Sequence, residues 1–177
     1  MKLATRITLL VCCLALAACG ERPAEDEAAA PAEAAAETEP AGGTTSIGEI
    51  STDLTKKPEI PKPEGDPPTE LQTEDIVEGE GPAAKAGDTV QMQYVGVSWS
   101  TGQQFDASWD SGQPFTFQLG AGGVIAGWDQ GIVGMKRGGR RLLVIPPDLG
   151  YGEMGAGNGA IAPNETLVFA VDLVQIQ

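Results

Sequence analysis

Residues 122–135 read Gly-Gly-Val-Ile-Ala-Gly-Trp-Asp-Gln-Gly-Ile-Val-Gly-Met. Large apolar side chains recur in this stretch with the spacing of one face of a short helix; they are Ile125, Trp128, Ile132 and Met135. Lys136 and Arg137 follow, and then Gly138, so the sequence predicts that the helix ends there. Glycines inside a helix each cost about 1 kcal/mol relative to alanine. Packing against other elements must therefore stabilise this helix.

The chain beyond residue 70 has the pattern of several short strands joined by tight turns. Val90, Met92 and Tyr94 alternate with polar residues, which indicates a half-buried strand. Residues 166–176 are apolar at almost every position, so this strand is expected to be central and covered on at least one face. Further extended segments are predicted at 71–77, at 103–106, around Phe115 and Phe117, and at 138–145. Because strands and helices do not alternate, the sequence predicts an α+β fold with an antiparallel sheet.

The first residues have the pattern of a processing signal. Residues 1–18 combine a positively charged start with an apolar run, Ile7 to Leu16, that is too short to span a membrane. The small residues that precede Cys19 resemble a bacterial lipoprotein signal, in which the cysteine is lipidated and becomes the new N-terminus. The alternative is an ordinary secretory signal cleaved after Ala18. We therefore expect an extracytoplasmic protein, lipid-anchored to an inner or outer membrane that the sequence does not specify.

Residues 19–68 are rich in alanine, glutamate and proline and contain no aromatic residue. A segment of this composition cannot bury enough apolar surface to offset the cost of ordering it. The sequence thus predicts a disordered tether over residues 19–68, with partial helix in its alanine-rich part as the alternative, and a folded domain over residues 69–177. No heptad pattern indicates a dimerising segment, so a monomer is expected.

Composition excludes several kinds of chemistry. Histidine is absent, and the chain has 3 cysteines, Cys12 and Cys13 in the signal and Cys19 at the lipidation position. Usual zinc sites and Ser-His or Cys-His catalysis need an imidazole or a thiolate, so we expect no metal and no cofactor. The net charge is −14, and the one basic cluster lies within residues 136–141. Nucleic-acid binding is therefore not expected.

Short motifs follow one another through the folded region in a fixed order: Tyr94-Val95-Gly96, Phe105-Asp106-Ala107-Ser108, Pro114-Phe115-Thr116-Phe117, Gly123-Val124-Ile125-Ala126-Gly127-Trp128, Ile145-Pro146-Pro147, Tyr151-Gly152 and Thr166-Leu167-Val168-Phe169. The series resembles FKBP-type peptidyl-prolyl cis-trans isomerases over about residues 70–177. Each motif alone is weak evidence, but the series with its spacings is specific. The resemblance implies a curved antiparallel sheet of five or six strands wrapped around one short helix, in agreement with the expected α+β fold.

The resemblance also implies an apolar pocket. Its catalytic residues would be Tyr94, Phe105, Asp106, Trp128, Tyr151 and Phe169, and its other substrate-binding residues would be Phe115, Val124, Ile125 and Ile161. Trp128 would form the floor under a proline ring, while the Ile125 N–H and the Tyr151 hydroxyl would donate hydrogen bonds to substrate carbonyls. Without the resemblance, core packing is the default interpretation of the aromatic residues, and Phe117 stays assigned to the core.

Rotation about an X-Pro bond has a barrier of about 20 kcal/mol because the twisted amide loses resonance. Catalysis needs no nucleophile or metal, only a dry pocket that favours the twisted amide and a few donors. The chemistry of the reaction thus suits these residues, and the resemblance implies prolyl isomerisation in unfolded or exported polypeptides, with FK506-like macrolides as inhibitors. The alternative is a non-catalytic peptide-binding or chaperone module that uses the same pocket.

Besides the loop Glu153 to Ala162, in which Ala160 replaces a frequent proline, two single positions depart from the family pattern. Ser111 stands where the family often has an arginine able to pair with the aspartate, so a different partner is expected for Asp106. Trp109 stands where a basic residue or tyrosine is common, and we expect it to add apolar contact at the pocket rim.

Overall fold

The computed structural model of the chain describes residues 47–177. The predicted signal at residues 1–18, the lipidation position Cys19 and the first part of the predicted tether lie outside the described residues. None of the helices within 47–177 has both the length and the apolar character needed to cross a membrane.

Eight strands and one α-helix make up the regular structure of residues 47–177: β1 Gln72–Val77, β2 Glu80–Ala83, β3 Thr89–Ser98, β4 Gln104–Ala107, β5 Phe115–Gln118, α1 Ala126–Gly131, β6 Lys136–Arg137, β7 Arg140–Ile145 and β8 Leu167–Ile176. Six strands form one antiparallel sheet in the order β1-β7-β8-β3-β4, with β5 also paired to β3. Strands β2 and β6 form a separate pair. The predicted antiparallel sheet with one short helix is confirmed.

Strand β8 lies between β7 and β3, and both of its faces are buried from Leu167 to Leu173. Phe169 and Val171 belong to an apolar cluster that includes residues of α1. Val168 and Ala170, which point to the opposite side because side chains alternate along a strand, belong to a second cluster. Burial on two faces explains why this strand is apolar at almost every position.

Residues 47–63, which we call the strap, cover the sheet face opposite α1. Ile50 and Ile60 are only 4% and 8% exposed and pack in the second cluster beside Val97 and Val144. The predicted disordered tether is therefore wrong over the strap. Its few apolar residues do not form a core of their own, but they complete one that the sheet provides.

A buried arginine also holds the strap. The Arg140 guanidinium is fully buried and donates hydrogen bonds to the carbonyl oxygens of Ser51, at 2.5 Å, and Lys56, at 3.2 Å. It also binds the Asp172 carboxylate through two hydrogen bonds of 2.5 and 2.7 Å. Arg140 thus contributes nothing to the surface basic cluster suggested by the sequence.

Helix α1 is shorter than predicted. It covers Ala126–Gly131, and the chain leaves the helical conformation before Gly134, whose φ is 87°. Lys136–Arg137, predicted as the last helical turn, instead form strand β6. A positive φ ends a right-handed helix and is cheap for glycine. Trp128 and Met135 remain buried, as the apolar spacing predicts.

We expect Gly127→Ala to destabilise the fold, because α1 packs closely on β7. A Cβ at Gly127 would lie 2.8 Å from Ile145 Cδ1 and closer still to Cγ2. Overpacking of this kind costs about 1–3 kcal/mol, measurable as a change in the free energy of unfolding in urea. Gly123→Ala is the matched control, since its Cβ would meet open space. Equal stability of the two variants would contradict close packing at Gly127.

Candidate functional site

An aromatic cluster surrounds Trp128 on the α1 side of the sheet. The ring centroids of Tyr94 and Phe169 lie 5.0 and 5.2 Å from that of Trp128, both in edge-to-face contact. The ring centroids of Phe117 and Phe115 lie 5.7 and 6.1 Å from that of Trp128. Strands β3, β5 and β8 and helix α1 therefore each supply rings to one apolar surface.

The candidate site residues differ in exposure. Trp128 and Phe169 are 4% and 3% exposed, whereas Phe115 and Tyr151 are each 41% exposed. Ile161, in the loop after Tyr151, is also buried and belongs to the same cluster. The buried rings thus form a floor, and the half-exposed rings lie where a ligand could reach them.

A β-bulge brings two consecutive residues to the site. Gly96 of β3 pairs with Asp106, and the next residue, Val97, pairs with Gln104, so Phe105 is the extra residue on β4. A bulge re-aims side chains that would otherwise alternate between faces. Phe105 and Asp106 can therefore both contribute to the same surface.

Gly96 allows the rings around it to approach closely. A Cβ at this position would lie 2.6 Å from Phe169 Cε1 and 2.7 Å from Phe105 Cζ. The two phenylalanine rings meet edge to face with centroids 5.5 Å apart. A side chain at Gly96 would separate this pair.

Asp106 is held by a tyrosine. The Tyr94 hydroxyl donates to Asp106 Oδ2 at 2.6 Å. Ser111, which replaces the frequent family arginine, instead donates from its hydroxyl to the Ser108 carbonyl at 2.8 Å. Within residues 47–177, Tyr94 is therefore the side chain that hydrogen-bonds to Asp106.

Both tyrosines of the chain have raised pKa values. Burial, the hydrogen bond to Asp106 and the charge of Asp106 all raise the pKa of Tyr94 well above 10.0. Burial and then the charge of Asp106 also raise the pKa of Tyr151. In each case the neutral phenol is the form that the folded protein favours.

We therefore expect little tyrosinate absorbance when the folded protein is brought to pH 10.0, the ordinary tyrosine pKa. The chain unfolded in denaturant should titrate near that value. Because the folded-state pKa values are raised, their contribution to stability is complete below pH 10 and is lost as the pH rises further. Ultraviolet absorbance measures the titration, and Tyr151→Phe isolates Tyr94. A folded Tyr151→Phe protein that titrates near pH 10 would contradict the hydrogen-bonded, buried Tyr94.

Asp129 fixes the loop that leads into α1. Its carboxylate accepts the N–H groups of Gly120, at 2.8 Å, and Gly122, at 2.9 Å. Val124 and Ile125 follow in this loop and pack against the aromatic cluster. No hydrogen bond within residues 47–177 uses the Ile125 N–H. Asp129 is missing from the residues predicted from the sequence, although a carboxylate in the first turn of a helix after a glycine-rich loop is a usable signal.

The loop after Tyr151 is closed by its own hydrogen bonds. Ala156 and Ile161 exchange two backbone hydrogen bonds of 3.1 and 3.0 Å, which close the intervening residues into a compact turn. Met154, in the same loop and not predicted as a site residue, is 91% exposed. The structure thus brings Tyr151 and the buried Ile161 onto one short loop.

Trp109 does not take the position expected from the sequence. It lies in the 3-10 turn Ser108–Asp110 and packs with the second apolar cluster, on the strap side of the sheet. The prediction that it adds contact at the pocket rim is wrong, because the chain turns after β4 and directs this ring to the opposite face.

Comparisons with known proteins agree with this architecture. Residues 81–174 match the family described as FKBP-type peptidyl-prolyl cis-trans isomerase. The FK506-binding protein of Streptomyces anulatus is 60% identical over 121 residues, which cover 68% of this chain and 98% of that protein. The probable FK506-binding protein of Corynebacterium glutamicum is 49% identical over 119 residues, 67% of this chain and 98% of that protein.

Solved structures show the same similarity. AtFKBP13 is 40% identical, with a TM-score of 0.57 over 63% of this chain and 96% of that one. FkpA from Escherichia coli is 41% identical, with a TM-score of 0.55 over 60% of this chain and 48% of that one. The chain belongs to the FKBP-type peptidyl-prolyl cis-trans isomerase family, which confirms the resemblance found in its sequence motifs.

Proposed function

We propose that this chain is an active prolyl isomerase that assists the folding of exported proteins by binding the twisted X-Pro amide on its aromatic surface. The observation that carries the proposal is the set of rings around Trp128, buried at the centre and half-exposed at the edge. Such a surface can take a proline ring out of water. A twisted amide is less charge-separated than a planar one, so an apolar environment favours it.

Each proposed residue has a separate role. Trp128 supports the proline ring, and the Ile125 N–H, which is unused within residues 47–177, donates to a substrate carbonyl. The half-exposed Tyr151 hydroxyl donates to a second carbonyl. Asp106 Oδ1 accepts no hydrogen bond from residues 47–177 and can accept an N–H of the substrate. These groups hold the flanking peptide while the bond rotates.

A direct assay of isomerisation tests the proposal. The purified chain should accelerate cis-trans relaxation of a proline-containing tetrapeptide, and an FK506-like macrolide should inhibit it by occupying the same apolar surface. Absence of acceleration by a folded protein would refute the proposal. Protection of an unfolded client by an inactive variant would favour the alternative, a chaperone module that uses this surface without catalysis.

The site of action is part of the same proposal. The sequence around Cys19 supports lipidation of its sulfur and removal of residues 1–18, which makes Cys19 the new N-terminus. Cys19→Ser should abolish incorporation of labelled fatty acid in a bacterial host, while the isomerase activity of the purified protein stays unchanged. Labelling that persists in this variant would rule out the anchor.

A further inference from the structure

Residues 104–110 lie between the proposed site and the strap. Phe105 and Asp106 contribute to the aromatic surface through contacts with rings of β8 and β3. Ala107 and Trp109 pack instead in the second apolar cluster, which contains the strap isoleucines. One short segment of backbone is therefore shared by the site and by the strap on the other face of the sheet.

The Asp110 carboxylate joins the two ends of this segment to the strap. Gln104 Nε2 donates to Asp110 Oδ2 at 2.8 Å, which links the first and last residues of the segment. Lys57 Nζ lies 2.5 Å from Asp110 Oδ1. Two hydrogen bonds lower the pKa of Asp110, as expected for a carboxylate held by two donors. The bond from Lys57 has the larger effect and the bond from Gln104 the smaller.

The buried Arg140 side chain fixes the backbone next to Lys57. The neighbouring residue Lys56 accepts a hydrogen bond on its carbonyl oxygen from the buried Arg140 guanidinium, and Arg140 is fixed by Asp172. Lys57 thus extends from a part of the strap that is attached to the core. An ion pair formed from a fixed backbone loses less freedom than one between two mobile side chains.

We propose that Lys57 is a positioning residue for isomerisation, which acts through Asp110 to hold residues 104–110 so that Phe105 and Asp106 stay aligned with the aromatic floor. The inference rests on the proposed function. It makes the strap part of the catalytic unit, although no strap residue belongs to the aromatic surface.

Lys57→Met in the full chain tests this role, since methionine keeps much of the apolar stem and removes the charge. We expect kcat/KM for an uncharged proline tetrapeptide to fall about two- to five-fold in low salt, the range that an exposed ion pair can supply. Lys57→Arg should restore the activity. Lys56→Met is the matched control, because it removes the same charge from the adjacent residue, whose ion pair is with Asp53 inside the strap.

Salt provides a readout that a merely structural role would not give. Both Lys57 and Asp110 are partly exposed, so salt screens their attraction. Raising the ionic strength should lower kcat/KM of the wild-type chain towards that of Lys57→Met, whose own value should change little. A wild-type chain with no more salt dependence than Lys57→Met would overturn the inference.

Hydrogen exchange gives a second measurement that does not depend on activity. Backbone amides of residues 104–110 should exchange faster in Lys57→Met than in Lys56→Met. Equal exchange in the two variants, with equal kcat/KM, would overturn the inference. A wild-type chain without isomerase activity would refute the proposed function, and the exchange comparison would still decide whether Lys57 fixes the segment.

Discussion

Trp128→Ala is expected to lower kcat/KM for a proline tetrapeptide by about 10- to 100-fold. The indole lies at the centre of the aromatic cluster and is 4% exposed, so its removal eliminates the floor of the proposed site. Loss of a large apolar contact is worth about 1.5–3 kcal/mol, and each 1.36 kcal/mol of lost transition-state stabilisation is tenfold in rate. The relaxation of the peptide, measured per folded molecule, gives the value.

The same substitution should also lower the free energy of unfolding by about 3–5 kcal/mol, the usual cost of truncating a buried tryptophan. Activity and stability must therefore be separated. Trp128→Phe is the control: it keeps an aromatic floor, and it leaves no internal partner unpaired because Trp128 Nε1 has no acceptor within residues 47–177. Full activity of folded Trp128→Ala would show that the indole does not contact the substrate.

Arg140→Met is expected to lower the free energy of unfolding by about 3–5 kcal/mol, because it leaves the buried Asp172 carboxylate without its partner. The strap carbonyls of Ser51 and Lys56 lose their donor at the same time. Urea denaturation should show this loss. In this variant, backbone amides of the strap should exchange with solvent faster than those of strand β8.

Two controls distinguish the effect of breaking the buried pair from the effect of removing any charge. The double variant Arg140→Met, Asp172→Leu should recover much of the loss, since it removes both charges and leaves apolar groups in their place. Lys136→Met removes a partly exposed pair with Glu78 and should leave stability almost unchanged. Equal effects of Arg140→Met and Lys136→Met would show that burial of the Arg140 pair contributes little to the fold.

Six of the eight strands within residues 47–177 are predicted from the sequence, because the signals for them are local, whereas β2 and β6 are not predicted. Alternation in β3 and the continuous apolar run of β8 directly reflect which faces are buried. The end of α1 does not follow from local signals. The basic residues after Met135 favour a helix C-terminus, but their pairing with β2 depends on a strand more than fifty residues earlier in the chain.

The proposed site also combines residues that sequence motifs predict with features that depend on the tertiary structure. Family motifs placed Trp128 and Phe169 in one region, and the structure brings their rings together. The bulge that brings Phe105 and Asp106 to one side has no signature in composition, because it depends on the register between β3 and β4. The direction of Trp109 depends on the turn that follows.

The sequence by itself determined the apolar face of α1, the antiparallel strands and the family, since these depend on spacings along the chain and on residue types. Only the tertiary structure decided that the strap is ordered, that Arg140 and Asp172 form a buried pair, and that Lys57 contacts residues 104–110. The strap is rich in proline and polar residues and has too little apolar surface to fold alone. It becomes ordered here because the sheet offers an apolar face that Ile50 and Ile60 complete and an arginine that binds its carbonyls.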